Sequence, residues 1–294
     1  MNPEPRTQNL EPRTLNPEPR TPSVFSSATR VFDLSLGQML WSRRSVFLAF
    51  LVGGPVLLAA AIRLATILEP LFVHAVRSSQ IGGVTLFGIM IWLLYVHVIV
   101  PVLGVFYGTA LIADEVDDKT ITYLFTRPIP RSAVLIGKYL SYLTCTILLV
   151  LPSVIAVYFL IVPINGGSVG RSFPLLLADL GVLAAGLMAY GAVFALVGAR
   201  LKRPLVIGLV FAFGWEPGVL LVPGYLKRAT VAYYLQALVP HKMPVDSTTI
   251  SVLTRMFDRF PSIATSLAWL AAITVIALWW ASRTVEVREY VLEQ

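Results

Sequence analysis

Tyr107–Lys138 reads YGTALIADEVDDKTITYLFTRPIPRSAVLIGK, a polar island between two long apolar runs. The run before it, from Val84 to Ala113, contains no Asp, Glu, Lys or Arg, and in the run that follows from Val134 the only charge is Lys138, near its start. A helical membrane span needs about 20 mostly apolar residues, and each run is longer than that. The island therefore sits in water between two membrane helices. It opens on the acids Asp114, Glu115, Asp117 and Asp118, continues through Lys119 and Thr120, and closes on Arg127, Pro128, Pro130, Arg131, Gly137 and Lys138.

This pattern predicts a short amphipathic helix over about 113–126, stopped by the extended preference of residues that precede proline. Acids at its start suit the positive end of a helix dipole. Val116, Ile121, Leu124 and Phe125 recur at near-helical spacing, which leaves one apolar stripe for lipid or for a partner. The plainer reading is a solvated connector whose charges only set topology.

Composition places the island in context. Of the 294 residues, 56% are hydrophobic and 13% are charged, against about 25% charged in soluble domains. The chain reads as an all-α, polytopic integral membrane protein. Its net charge of +7 does not point to nucleic acid, because the basic residues are scattered among loops flanking apolar runs, where topology accounts for them. The single cysteine, Cys145, lies inside an apolar run, so no intrachain disulfide can form.

In chain order, residues 1–28 form a repetitive tail (NPEPRT, LEPRT, NPEPRT) too polar and proline-rich to bury a core, and are expected to be disordered. No apolar core follows those charges closely, so the tail does not read as a signal peptide. Phe32, Leu36, Met39 and Leu40 then share one face of an interfacial helix ending at Trp41, Arg43 and Arg44.

Residues 29–290 read as one transmembrane domain with spans near 46–68, 84–113, 135–162, 174–199, 205–222 and 263–281. An even number puts both termini on one side. Lys and Arg are concentrated in the loops on that side, which include the island, so the termini and the island are expected to be cytoplasmic in a multi-pass protein of the cell membrane. Five of the basic residues on the opposite side fall in one long segment, 225–261, where the rule counts least. Within that segment Val231, Tyr234, Leu235 and Leu238 predict short helices at the outer membrane face.

Glu216 and Pro217 stand inside the fifth run, in FGWEPGVLLVPG. A carboxylate at membrane depth is costly and faces protein or water rather than lipid, and the adjacent proline loosens the helix there. The pair is therefore the candidate translocation or gating site. No catalytic site is legible. Gly137-Lys138 is not a phosphate-cradling loop, since residue 132 is Ser and residue 139 is Tyr. His74, His97, His241 and Cys145 lack metal-ligand spacing, and no Ser, His and Asp cluster offers a nucleophile with its base.

The island FYGTALIADEVDDKTITYLFTRPIPRSAVLIGKYLS, with its acids, Thr-Ile-x-Tyr-Leu, Arg-Pro-x-x-Arg and Gly-Lys, resembles the membrane permease subunits of ABC-type exporters of the type-two class. Leu201 to Pro204, Trp215-Glu216 and the later YYLQAL are similar to the fifth span and outer helices of that family. The resemblance covers about residues 29–290. It implies six membrane helices, an N-terminal amphipathic helix, a cytoplasmic coupling helix at 113–126 and outer helices after the fifth span.

It also implies two permease subunits, as a homodimer or with a close paralogue, in contact with membrane lipid and with a separate cytoplasmic ATPase. ATP and Mg would be held by that ATPase, with no cofactor bound by this chain. Asp114, Glu115, Asp117, Asp118, Lys119, Thr120, Arg127, Pro128, Arg131, Gly137 and Lys138 would form the coupling surface. Two other readings share the architecture: a membrane scaffold or assembly subunit without transport, and a membrane-embedded lipid-modifying enzyme using Glu216 or Asp179 as acid or base. Spans rich in Leu, Val, Ala and Phe fit an apolar or amphipathic cargo.

Overall fold

A computed structural model describes residues 24–40, 43–68, 82–117, 131–221, 225–241 and 261–287. Among the described residues it is all helical. Helix α1 is Val24–Leu40 and α2 is Arg43–Leu68. Helix α3 runs over 83–117, α4 is Arg131–Ile161, and α5 is Val169–Arg200. Helix α6 covers 204–221, α7 is Val231–Leu238 and α8 is Ile263–Val287.

Among the described residues five helices, α2, α3, α4, α5 and α8, are long and apolar enough to cross a membrane by length and composition. The expected span at 205–222 is helical but shorter than these. Its start has a local cause: Pro204 fixes the first turn behind the polar Leu201–Arg203 link. The expected tail, 1–28, falls outside the described residues except for the start of α1, which is already helical at Val24.

Helix α3 departs from the sequence expectation in an informative way. Its apolar part, Gly83–Ala113, is 31 residues, about 45 Å at 1.5 Å per residue, more than the roughly 30 Å of hydrocarbon. The backbone stays helical through the acids to Asp117. Asp114, Glu115 and Asp117 therefore extend the second span's helix rather than open a new one, and the remainder of the expected helix, 118–126, lies outside the described residues.

Two stretches of α3 and one of α6 are wound as π-helix: Ile91–Ile99, Gly104–Gly108 and Phe211–Trp215. The first and third each end two residues before a proline, Pro101 and Pro217. Proline has no N–H, so the carbonyls of His97 and Phe213 lose their i+4 donor. The helix accommodates this by widening to i→i+5 bonds, such as those from Val100 N to Tyr95 O and from Glu216 N to Phe211 O.

Helix α5 is the centre of the bundle, in contact with α3, α4, α6, α7 and α8. Ser266, Leu270, Thr274, Ala277, Ala281 and Val285 of α8 are buried at helical spacing, the stripe turned toward the bundle. The opposite surfaces of α2 and α8 expose Phe50, Leu57, Ile67, Val275, Ile276 and Trp279. A chain that is apolar inside and outside suits lipid, where association relies on close packing and small residues.

Two such contacts join the core helices. A Cβ at Gly198 of α5 would lie 2.4 Å from the Thr109 carbonyl oxygen of α3. On the α4 side, the Tyr142 ring lies across Gly191 and its hydroxyl donates to Leu187 O at 2.9 Å. Gly198→Ala is expected to destabilise the fold by about 1–3 kcal/mol, because the obstruction is backbone and overpacking must shift a helix. Gly181→Ala, which meets nothing within 4 Å, should be neutral to about 1 kcal/mol stabilising through helix propensity. Thermal denaturation of the two variants in one detergent checks the contrast.

Helix α1 packs along α4, where the Ser141 hydroxyl reaches both Phe32 O at 2.9 Å and Gly137 O at 3.0 Å. Helix α7, expected at the outer face, has Val231, Tyr234, Leu235 and Leu238 buried among its neighbours. It contacts α8, α5 and the π-helical part of α3, and Tyr234 stacks on Trp269 at 6.0 Å.

Candidate functional site

The two proline-widened turns face one another. Between α3 and α6 lies a cavity of about 240 Å³ lined by Val96, His97, Val98, Pro101, Tyr190, Ala212, Phe213, Glu216, Pro217 and Ala232. Val96 to Val98 come from one π-helical stretch and Ala212 with Phe213 from the other. The cavity's position thus follows from Pro101 and Pro217: each proline widens the turn that presents its wall.

Glu216 is 2% exposed and tied at both oxygens. The Tyr190 hydroxyl of α5 donates to Oε2, and the backbone N–H of Val231, first residue of α7, donates to Oε1 at 3.1 Å. A carboxylate taken out of water needs such donors, and the N-terminus of a helix adds a favourable dipole. One side chain therefore joins α6, α5 and α7 around the cavity. Pro217 beside it remains exposed and also lines the cavity.

His97 is held on both ring nitrogens. Nδ1 lies 2.8 Å from Trp92 O; a carbonyl can only accept, so Nδ1 carries the proton. Nε2 is then the acceptor for the Gln236 side-chain amide of α7, 3.1 Å away. The ring is thereby fixed as the neutral tautomer.

A second polar contact joins α5 to the segment after α7. Asp179 of α5 is fully buried, and its Oδ2 meets His241 Nε2 at 2.7 Å. The imidazole is seated on Gly88 and set edge-on to Phe87, 5.6 Å between centroids, at the start of α3. The pair clamps the segment after α7 to α3 and α5. The sequence offered little to find it by, since 62 residues separate the partners. Among the described residues no three His, Cys, Asp or Glu side chains are grouped so as to hold a metal ion.

The expected coupling residues are placed in part. Asp114, Glu115 and Asp117 lie on the last described turns of α3, and Arg131 begins α4. Asp118, Lys119, Thr120, Arg127 and Pro128 lie outside the described residues. Gly137 and Lys138 are within α4 at buried positions, with Lys138 8% exposed. The acids and the cavity thus belong to the same helix: one end of α3 carries Asp114–Asp117, and its π-helical middle lines the pocket.

Residues 95–284 match the family model described as ABC-2 family transporter protein. The match takes in the cavity-lining parts of α3 and α6, the island and the whole of α5. No curated protein matches the chain.

Proposed function

The chain belongs to the ABC-2 family of transporter proteins, and from this premise we propose that it is the permease subunit of an ATP-driven exporter whose force enters at 113–126 and whose path includes the Glu216 cavity. The observation that carries the proposal is the continuity of α3. A single helix joins the acidic stretch to the wall of a cavity holding a buried carboxylate. Movement at one end of a continuous helix reaches the other, provided the partner contacts it differently in two states.

In this reading α6 serves as a sixth span, loosened at Phe211–Trp215 so that it can open and close against α3. Both termini and the island face the cytoplasm of a cell-membrane protein. A separate ATPase holds ATP and Mg and docks on Asp114, Glu115, Asp117, Asp118, Lys119 and Thr120, while Arg127, Pro128 and Arg131 shape the exit. Gly137 and Lys138 support that exit from inside α4. Two copies, or this chain and a paralogue, pair in the lipid through exposed apolar surface. The chain itself performs no catalysis.

Charge reversal of Glu115 and Asp118 to lysine tests the coupling. Transport and transport-stimulated ATP hydrolysis should fall at least about tenfold, a loss of roughly 1.4 kcal/mol of coupling, while membrane insertion stays normal. Coupling that survives both reversals would remove the assignment.

A further inference from the structure

We propose that the cavity between α3 and α6 binds a small hydrophobic monocation, of the class of aryl-alkyl amines, through Glu216. The inference rests on the translocation reading above and specifies its cargo. Among the described residues the lining supplies one carboxyl group and no Lys or Arg, and its histidine, His97, has both nitrogens engaged as the neutral tautomer. The only formal charge available to a bound molecule is therefore negative.

Glu216 accepts from the Tyr190 hydroxyl at Oε2 and from Val231 N at Oε1, and the Ala232 N–H is also turned to it. Carboxylate oxygens offer about four lone-pair sites, so acceptor capacity is left for an ammonium donor. Away from water that capacity favours a cation over any neutral donor, because charge-assisted bonds are about twice as strong as neutral ones.

The remaining walls are apolar: Val96, Val98, Pro101, Ala212 and Phe213, with Ala232 at the α7 end. They suit a hydrocarbon body, and Phe213 adds an aromatic face for a cation. At about 240 Å³ the space lies below the roughly 300–1,000 Å³ of drug-sized sites. It fits one ring with a short amine-bearing chain. An anion would meet the Glu216 carboxylate without any balancing charge.

The experiment uses the full chain in nanodiscs of zwitterionic lipid, with empty discs subtracted. Three probes of equal shape are titrated by calorimetry: 4-phenylbutylammonium, 4-phenylbutanol and 4-phenylbutyrate. The ammonium should bind at least about tenfold tighter than the alcohol or the acid. Glu216→Gln should bring it down to the alcohol's affinity, and Ala212→Phe, which fills the cavity, should abolish binding of all three.

Equal or weaker binding of the ammonium in the unaltered chain overturns the proposal, as does an ammonium preference that survives either substitution. If Glu216→Gln does not fold, the probe order in the unaltered chain and its loss in Ala212→Phe decide. Failure here with intact Glu115 and Asp118 coupling would remove the cargo class and leave the permease. Cation binding without that coupling would do the reverse.

Discussion

Glu216→Ala is expected to lower stability by about 2–6 kcal/mol and to abolish transport. The substitution strands two buried donors, the Tyr190 hydroxyl and the Val231 N–H, each costing about 1–3 kcal/mol when left without an acceptor. It also unfastens α6 and α7 from α5 at the cavity wall. Glu216→Gln keeps one carbonyl acceptor and should recover about half of the stability while transport stays low. Denaturation midpoints and transport, measured on both variants, separate the structural role from the functional one. Full transport by either variant would show that the carboxylate serves packing alone.

His241→Ala should cost about 3–5 kcal/mol, because it leaves the carboxylate of Asp179 buried with no partner at Oδ2. Among the described residues Oδ1 has no hydrogen-bond partner, so the ring nitrogen is the contact that matters. The double variant Asp179→Asn with His241→Ala should regain a good part of the loss, since no unpaired charge then remains at that contact. The non-additivity, read as a double-mutant cycle of denaturation free energies, should reach about 0.5–3 kcal/mol. Simple addition of the two single effects would mean that the contact contributes nothing.

The long spans were legible because lipid and core ask for the same side chains. The runs beginning near 46, 84, 135, 174 and 263 each contain a helix of spanning length, and the family named from the island motifs is the one that the chain belongs to. The fifth run was less legible: Pro204, the link before it and the proline inside it shorten and widen the helix. The boundary at 113 was read from polarity, yet acids do not by themselves end a helix, and α3 continues to Asp117.

Glu216 stood out as a lone acid in an apolar run, which is why the candidate site could be named from sequence. Its partners could not. Tyr190 lies 26 residues away and Val231 lies 15 away on another helix, and neither residue type advertises a carboxylate contact. Pro217 was read as loosening its own helix; Pro101, its counterpart on α3, was the overlooked signal. Each removes a helical donor, and together they mark the two turns that wall the cavity. Asp179 and His241 left no local trace, because a pairing across 62 residues is made by tertiary packing alone.

The central claim is that α3 links an acidic end in the cytoplasm to a cavity region nearer the outer face. The most direct measurement is labelling of single cysteines with a membrane-impermeant maleimide, on a Cys145→Ser background that removes the only native thiol. One cysteine replaces Asp118, just beyond α3, and the other replaces exposed Ala229, just before α7. In intact cells Ala229→Cys should label and Asp118→Cys should not, and opening the cells should expose the latter. Labelling of Asp118→Cys from outside, or of both positions from the same side, would contradict the account.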